Sequence, residues 1–511
     1  MKRYNLLSLA GIVALVGLVS GCNDYLKESS GDLLIPQRVA EYQSLLVGEG
    51  YPNSLTADIQ WMDLLTDDAE VSPSANPNST QADGDDDVYL STGKGAFTWA
   101  QDIEFYDKAA GDAYLARYRN IMACNLIIEN ANNMEGDSAE VHACVAEAYA
   151  LRALNYFYLV NWYGVPYNPN TADKDPGVII RLQSKMVKDQ PTRSTVAEVY
   201  KLINDDLDHA LALFKTAKKS NNVYLMNEKA ANLLKCRVAL YTEQWDDVIK
   251  YGNTLSEDNF SLYNISGLTK DDLSEKNDYA FLNKTNREAV WMFGGRVHSR
   301  QDYMDNTILI KGAGFAPSHA KEGGLIYSYE GGDNRIYAFF MQDNIDYDAE
   351  WDWYFTYEDN RHLPYKHYTY DNYSQALRTS EALLSVAEAY VQKGQNDLAI
   401  QLLNLLRKNR FTSETYKDLT AAEFNTTDAL LQFVRDERRR ELCFEETHRW
   451  NDLRRYGMPR IEHTYYASKN SAPEVYVLEE GDKNYTLELP KAELEYNQAV
   501  ERINRRVISA Q

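Results

Sequence analysis

Cysteine is scarce in this chain. Five occur among 511 residues, none in a CxxC pair, and no histidine stands at ligand spacing beside them, so the sequence offers no zinc site. Cys124, Cys144, Cys236 and Cys443 lie in apolar helical patterns, where cysteine acts as a small hydrophobe. An oxidising compartment would permit a Cys124–Cys144 bridge, but a chain of this length has core enough without staples. Basic residues are in deficit, 53 Lys and Arg against 76 Asp and Glu, for a net charge of −23. That balance opposes nucleic-acid binding, whose affinity comes largely from cations on phosphates. The motifs of common catalysis are missing too: no GxSxG, HExxH, Walker loop, dinucleotide fingerprint or EF-hand loop. Eight histidines are scattered along the chain. The paired carboxylates of a glycosidase are set in space, not in sequence, and no pair is singled out. These absences lead us to expect a protein that is not an enzyme and carries neither cofactor nor metal.

Long apolar runs are missing except at the start. Lys2 and Arg3 precede Leu6 to Gly21, which is too short for a secure membrane span. The run ends in Val19-Ser20-Gly21-Cys22, which resembles a bacterial lipobox. We therefore expect residues 1–21 to be a lipoprotein signal peptide and Cys22 to carry the lipid. Several acyl chains at one site anchor stably, since each buried methylene adds about 0.8 kcal/mol. Loss of residues 1–21 removes Lys2 and Arg3 and no acid, which moves the net charge from −23 to −25. The body, residues 22–511, carries no Pro/Gly/Ser-rich linker and is expected to be one domain, tethered to a membrane by lipid alone.

What is present is concentrated near the end. Leu430–Gly457 (LLQFVRDERRRELCFEETHRWNDLRRYG) reads as one long helix closed by Gly457, with Pro459 as a stop. Leu431, Val434, Arg438, Leu442, Glu445, Arg449 and Leu453 share one face at helical spacing. Glu445 and Arg449 stand at i,i+4 in the favourable order, as do Asp436 and Arg440. Phe433, Phe444 and Trp450 leave little wet surface, so the ions are expected to form a half-buried network that fixes how the helix docks.

This stretch resembles the signature of the SusD/RagB family of outer-membrane nutrient-binding lipoproteins. The match runs through Glu437, Arg438, Arg439, Glu441, Leu442, Phe444 and Glu445, then His448, Arg449, Trp450, Asp452 to Arg455 and Gly457. The family often has glycine where this chain has Thr447. AEAYALRALNYFYLVNWYGVP, Arg378–Ala382 leading into Val386–Tyr390, and Tyr485–Asn497 also resemble family segments.

Helices carry the expected framework: Asp112–Asn132, Ser138–Trp162, Val196–Lys215, Lys229–Glu243 and Trp245–Tyr251. Leu240–Ile249 and Ala389–Ile400 are two similar helix–turn–helix units, the later with Ala387, Tyr390 and Ala399 at tetratricopeptide spacing. The fold class expected is mainly α, a tetratricopeptide-like helix-pair scaffold over about 110–252 and 375–460, with long loop-rich, aromatic insertions, as the resemblance also implies.

Between the helical blocks, over about 253–374, glycine and asparagine rise and helical periodicity is lost. Trp351, Trp353, Tyr354, Phe355 and Tyr357 crowd together there, with Asn344 and Asp352 nearby. Long loops are commonly functional, and an aromatic ring packs on the C–H face of a sugar while polar neighbours take its hydroxyls. The candidate ligand-binding residues are therefore Trp99, Tyr303, Trp351, Trp353 and Tyr354. The resemblance implies a lipid-anchored protein on the outer-membrane surface of a Gram-negative bacterium. It would bind a glycan and pass it to a SusC-like TonB-dependent transporter. A RagB-like peptide-binding protein, or an enzyme on a helical scaffold, is the alternative.

Overall fold

The computed structural model describes residues 36–71, 85–185, 189–269, 272, 281–282, 285–297, 315–342, 362–364, 372–467 and 471–511. Cys22 and the expected signal peptide lie outside them. A short strand, β1 (Ala69–Val71), precedes α1 (Asp85–Phe97) and α2 (Ala109–Glu129). Next come α3 (Ser138–Tyr163), α4 (Val196–Phe214), α5 (Glu228–Tyr241) and α6 (Trp245–Gly252). The insert contributes β2 (Ala289–Val297), β3 (Phe315–Pro317), β4 (Phe340–Gln342), β5 (His362–Pro364) and β6 (Asn372–Arg378). The second helical block holds α7 (Thr379–Gln392), α8 (Asn396–Lys408), α9 (Thr427–Leu442) and α10 (His448–Arg455). A hairpin, β7 (Ile461–Tyr465) with β8 (Glu474–Leu478), follows.

The spine is α3. It is apolar on nearly every face from Cys144 to Tyr163 and is buried along that length, packed between α2 and α4. Asp137 caps its start, accepting from the Ala139 amide at 2.9 Å, and Gly164 ends it two residues before Pro166. A reciprocal capping box opens α4, in which Glu198 N–H donates to Thr195 Oγ1 and Thr195 N–H to Glu198 Oε2. Helix α5 packs on α6, α6 on α7, and α7 on both α8 and α9. The first residues of α7, Thr379 to Ala389, are buried without interruption, so this helix is as central to the second block as α3 is to the first. The four described cysteines are free, buried thiols, and Cys124 and Cys144 are not bridged.

The signature stretch is not one helix. It breaks after Leu442, and Phe444 and Glu446 adopt left-handed φ values of 54° and 47° before α10 begins at His448. Such backbone costs about 1–3 kcal/mol per residue, so the surroundings must hold it in place. No proline or glycine between Leu430 and Tyr456 marks the break. The expected i,i+4 pairs are replaced as a result. Glu445 turns to Arg378 and Arg449 to Asp67, while Arg440 pairs with Glu437 and Asp436 accepts from Gln432.

The insert is mounted on the antiparallel pair β2–β6, with Ala289 opposite Arg378 and Phe293 opposite Gln375. The register shifts between Phe293 and Arg296, where Gly294 and Gly295 have φ of 97° and 131°. A Cβ on Gly294 would lie 2.6 Å from Gln375 Cγ, so only glycine fits this bulge. A second, smaller apolar core gathers here from Phe281, Met292, Leu325, Phe339, Phe340 and Cys443. The larger core fills the space between the helices. Among the described residues, no helix is long and apolar enough to cross a membrane.

Candidate functional site

A buried ionic frame determines where the insert sits. Arg378, the last residue of β6, donates to Glu445 through Nε and Nη2 and to Glu288 and Glu441 through Nη1. Arg410 reaches the same two acids, Glu288 and Glu441, at 2.7 and 2.8 Å. Arg335, on a short helical turn of the insert, pairs with Asp333, Glu437 and Glu441. Arg237 of α5 holds Glu381 of α7 and Glu446 of the bend. All of these side chains are essentially inaccessible to solvent. The guanidiniums hold the carboxyls of Glu437, Glu441 and Glu446 far below the usual range, although burial alone would raise them. The acids in turn raise Arg237, Arg335 and Arg378. Glu288 precedes β2 and Arg378 closes β6, so both stems of the insert are tied to the signature helices.

Trp99 is not a surface residue. Its ring is fully buried and stacks on His463 with centroids 4.3 Å apart, and its Nε1 donates to the Leu65 carbonyl at 2.9 Å. No face of the ring is left for a ligand, which removes Trp99 from the expected aromatic platform. His463 is held between Phe97 and Trp99. Its Nδ1 lies 2.7 Å from the Phe97 carbonyl oxygen and its Nε2 3.0 Å from that of Thr66. Burial pushes its imidazole down to about 4, while the two carbonyls pull the other way. Tyr303, Trp351, Trp353 and Tyr354 lie outside the described residues, as do Asn344 and Asp352. The structure therefore does not bring Trp99 together with them as exposed rings.

On the insert side, a groove of about 480 Å³ opens beside β1, β3 and β7. Glu70, Ser318, Glu322, Arg460, Glu462 and Tyr466 line it. Three segments leave the described residues at its edge: 72–84 after β1, 298–314 before β3, and 468–470 in the β7–β8 turn. Asp67 contributes to the wall and is itself fixed by Arg449, whose Nε and Nη2 donate to its two oxygens at 2.8 and 2.6 Å. The two arginines at that wall, Arg449 and Arg439, keep the Asp67 carboxyl well below its ordinary value. This lining of carboxylates, hydroxyls and one guanidinium can accept and donate hydrogen bonds to a polyhydroxylated ligand. Among the described residues, no group of three or more His, Cys, Asp and Glu is placed to hold a metal ion.

Sequence reasoning did not find this groove. Its acids come from four separate chain segments and follow no spacing. The acid partners of the arginine frame were partly in view, because Glu381 lies in the recognised Arg378–Ala382 segment.

Comparison with known proteins gives a consistent result. A family model described as the SusD family matches residues 161–506, and one described as "Starch-binding associating with outer membrane" matches residues 53–240. Curated proteins give no match. Among solved structures, a SusD superfamily protein from Bacteroides thetaiotaomicron superposes with a TM-score of 0.66 at 17% identity, over 92% of this chain and 100% of that one. A putative sugar binding protein from Bacteroides vulgatus gives 0.62 at 21% identity, over 92% and 98%. A SusD-like carbohydrate binding protein from the same species gives 0.61 at 18%, over 92% and 99%. At these identities the superpositions establish the shared fold.

Proposed function

The chain belongs to the SusD family, and from that premise we propose that it is a glycan-binding lipoprotein of the outer-membrane surface. The family model covers two thirds of the chain, and a second model that overlaps and extends it is described by starch binding and association with the outer membrane. The protein binds an oligosaccharide and hands it to a SusC-like TonB-dependent transporter without breaking a bond. Cys22 carries the lipid that holds it at the membrane, and residues 22–511 act as one domain.

The observation that carries the sugar reading is the composition of the insert. Tryptophan and tyrosine crowd a segment between the helical blocks that reads as loop, and a groove of carboxylates and hydroxyls borders the same side of the protein. Aromatic faces with polar neighbours suit a sugar ring. Tyr303, Trp351, Trp353 and Tyr354 are the stacking residues of this site. A glycan array probed with protein lacking residues 1–22 tests the reading. Retention of one oligosaccharide class supports it. Shortened glycan after incubation would replace it with an enzyme, and capture of peptides alone with a peptide carrier.

A further inference from the structure

A cavity of about 390 Å³ lies on a part of the molecule that the proposed glycan site does not use. It is formed by the loop before α2, the end of α3 and the C-terminal segment, and no residue between 253 and 374 lines it. Its volume falls in the usual range of small-ligand pockets. Ile103, Leu487 and Pro490 give it apolar walls, and its rim is charged.

The rim charges already have partners. Lys491 Nζ lies 3.0 Å from Asp102, Arg502 pairs with Glu488 at 2.9 Å, and Glu104 accepts the Lys491 amide at 2.8 Å. Arg505 differs. It lines the cavity, is 95% buried, and has no carboxylate paired with it among the described residues. Its Nη1 donates to the carbonyls of Ala100 and Gln101 at 3.0 and 2.9 Å. Its Nε and Nη2 have no hydrogen-bond partner, and neither does the hydroxyl of Tyr163, which lines the same cavity. The arginines of the ionic frame have their charge reinforced by carboxylates, whereas burial pushes Arg505 down to about 10. A buried cation with two unfilled N–H groups costs several kcal/mol unless something completes it.

We propose that this cavity is a carboxylate-binding site, in which the Nε–Nη2 edge of Arg505 takes the two oxygens of a sugar acid and Tyr163 contributes a hydroxyl hydrogen bond. The Nε–Nη2 edge is one that forms parallel, charge-assisted bonds to a carboxylate. The apolar walls and the Gln101 amide suit a ring that carries hydroxyls, so a hexuronate fits better than a bare anion. The site is independent of the aromatic insert, so either can fail without the other.

Isothermal titration of the purified protein with galacturonate, galactose and acetate tests this. Galacturonate should bind, and galactose, which lacks the carboxylate, should not. Arg505→Lys keeps the charge and loses the fork, and it should weaken galacturonate binding at least tenfold. Arg505→Gln should abolish it, and Tyr163→Phe should weaken it severalfold. If Arg505→Gln does not fold, Arg505→Lys and Tyr163→Phe carry the test. Acetate binding as tightly as galacturonate would support the carboxylate site and assign it to short acids. Absence of binding by both carboxylates, or unchanged galacturonate affinity in Arg505→Lys, overturns the proposal.

Discussion

The guanidinium of Arg378 meets the carboxylate of Glu445 edge to edge, with Nε 2.9 Å from Oε2 and Nη2 2.5 Å from Oε1. Arg378 ends the strand that closes the insert, and Glu445 sits in the left-handed bend between α9 and α10. The pair therefore joins the most irregular backbone of the signature to the exit of the ligand-bearing loops. Neither residue is solvated, and bidentate geometry of this kind is strong and specific. The frame around it fixes the docking of the elements. Buried ion pairs contribute less to net stability than their Coulomb energy suggests, because both ions lose their water.

That asymmetry sets the first prediction. Glu445→Ala leaves Arg378 buried with less compensation and should lower stability by about 3–5 kcal/mol. Asp205→Ala, which breaks the exposed Lys201–Asp205 pair, should change stability within error. Urea unfolding of both variants checks this. Equal midpoints for the two would mean that the Glu445 site relaxes into water.

A second prediction concerns pH. Burial raises Glu147 to about 7 from an ordinary 4.5, and both Tyr51 and Gln43 donate to Oε2, which leaves Oε1 to carry the proton. Burial lowers His463 to about 4 from 6.5. Between pH 4.5 and 6.5 the folded chain therefore holds a proton on Glu147 that the unfolded chain lacks. The unfolded chain holds one on His463 that the folded chain lacks. Their slopes oppose, because stability rises with pH only where the unfolded state binds more protons. Glu147→Gln removes one side of this balance. Relative to wild type, its stability should fall on acidification from pH 6.5 to 4.5, by up to about 1.4 kcal/mol per pH unit. Urea midpoints at three pH values read the difference. Parallel curves would show that Glu147 is ionised in the fold.

The helices were legible because their signals are local. The 138–162 expectation misses the observed α3 by one residue at its end, where Gly164 and Pro166 stop it. The break at 443–447 was not legible, because a charged sequence with helical spacing can be bent by partners far along the chain. Arg378 and Arg237 lie 67 and 209 residues from their bend partners Glu445 and Glu446. The glycine that the family often has at position 447 was the one available sign. Trp99 was misread for a similar reason. It sits in a polar-looking loop, FTWAQD, but its ring partner His463 comes from a strand more than 360 residues away. Composition does not tell a loop that ends in solvent from one that plugs a core.

A third prediction follows from the proposed anchor. Cys22→Ala removes the only cysteine in the lipobox-like sequence. The variant should take up no labelled lipid and should leave the membrane fraction, because no described helix can hold it there. The assay belongs in cells without the transporter, so that docking cannot retain the protein. Unchanged membrane retention there would rule out the lipid anchor.

The last prediction separates the buried tryptophan from those assigned to the ligand. Trp99 is enclosed by His463 and the Leu65 carbonyl, so Trp99→Ala should open a cavity and cost about 3–5 kcal/mol of stability. Its loss of ligand affinity should be no greater than its loss of folded protein. Trp351 and Trp353 lie in the insert and are proposed as stacking rings, so the effect should reverse. An open site buries little area and must strip water from sugar hydroxyls, which makes intrinsic affinity modest. Most of what affinity there is then resides in the principal ring, and its replacement by alanine should cost at least about 2 kcal/mol of binding. Thermal melting of that variant should match wild type. Calorimetry and melting on Trp99→Ala, Trp351→Ala and Trp353→Ala, with the oligosaccharide found on the array, read both axes at once. Stability lost without selective affinity loss at position 99, and affinity lost without stability at 351 or 353, is the expected pattern. If Trp351→Ala and Trp353→Ala both bind like wild type, the sugar is held elsewhere, and the acid-lined groove beside β1, β3 and β7 becomes the place to mutate next.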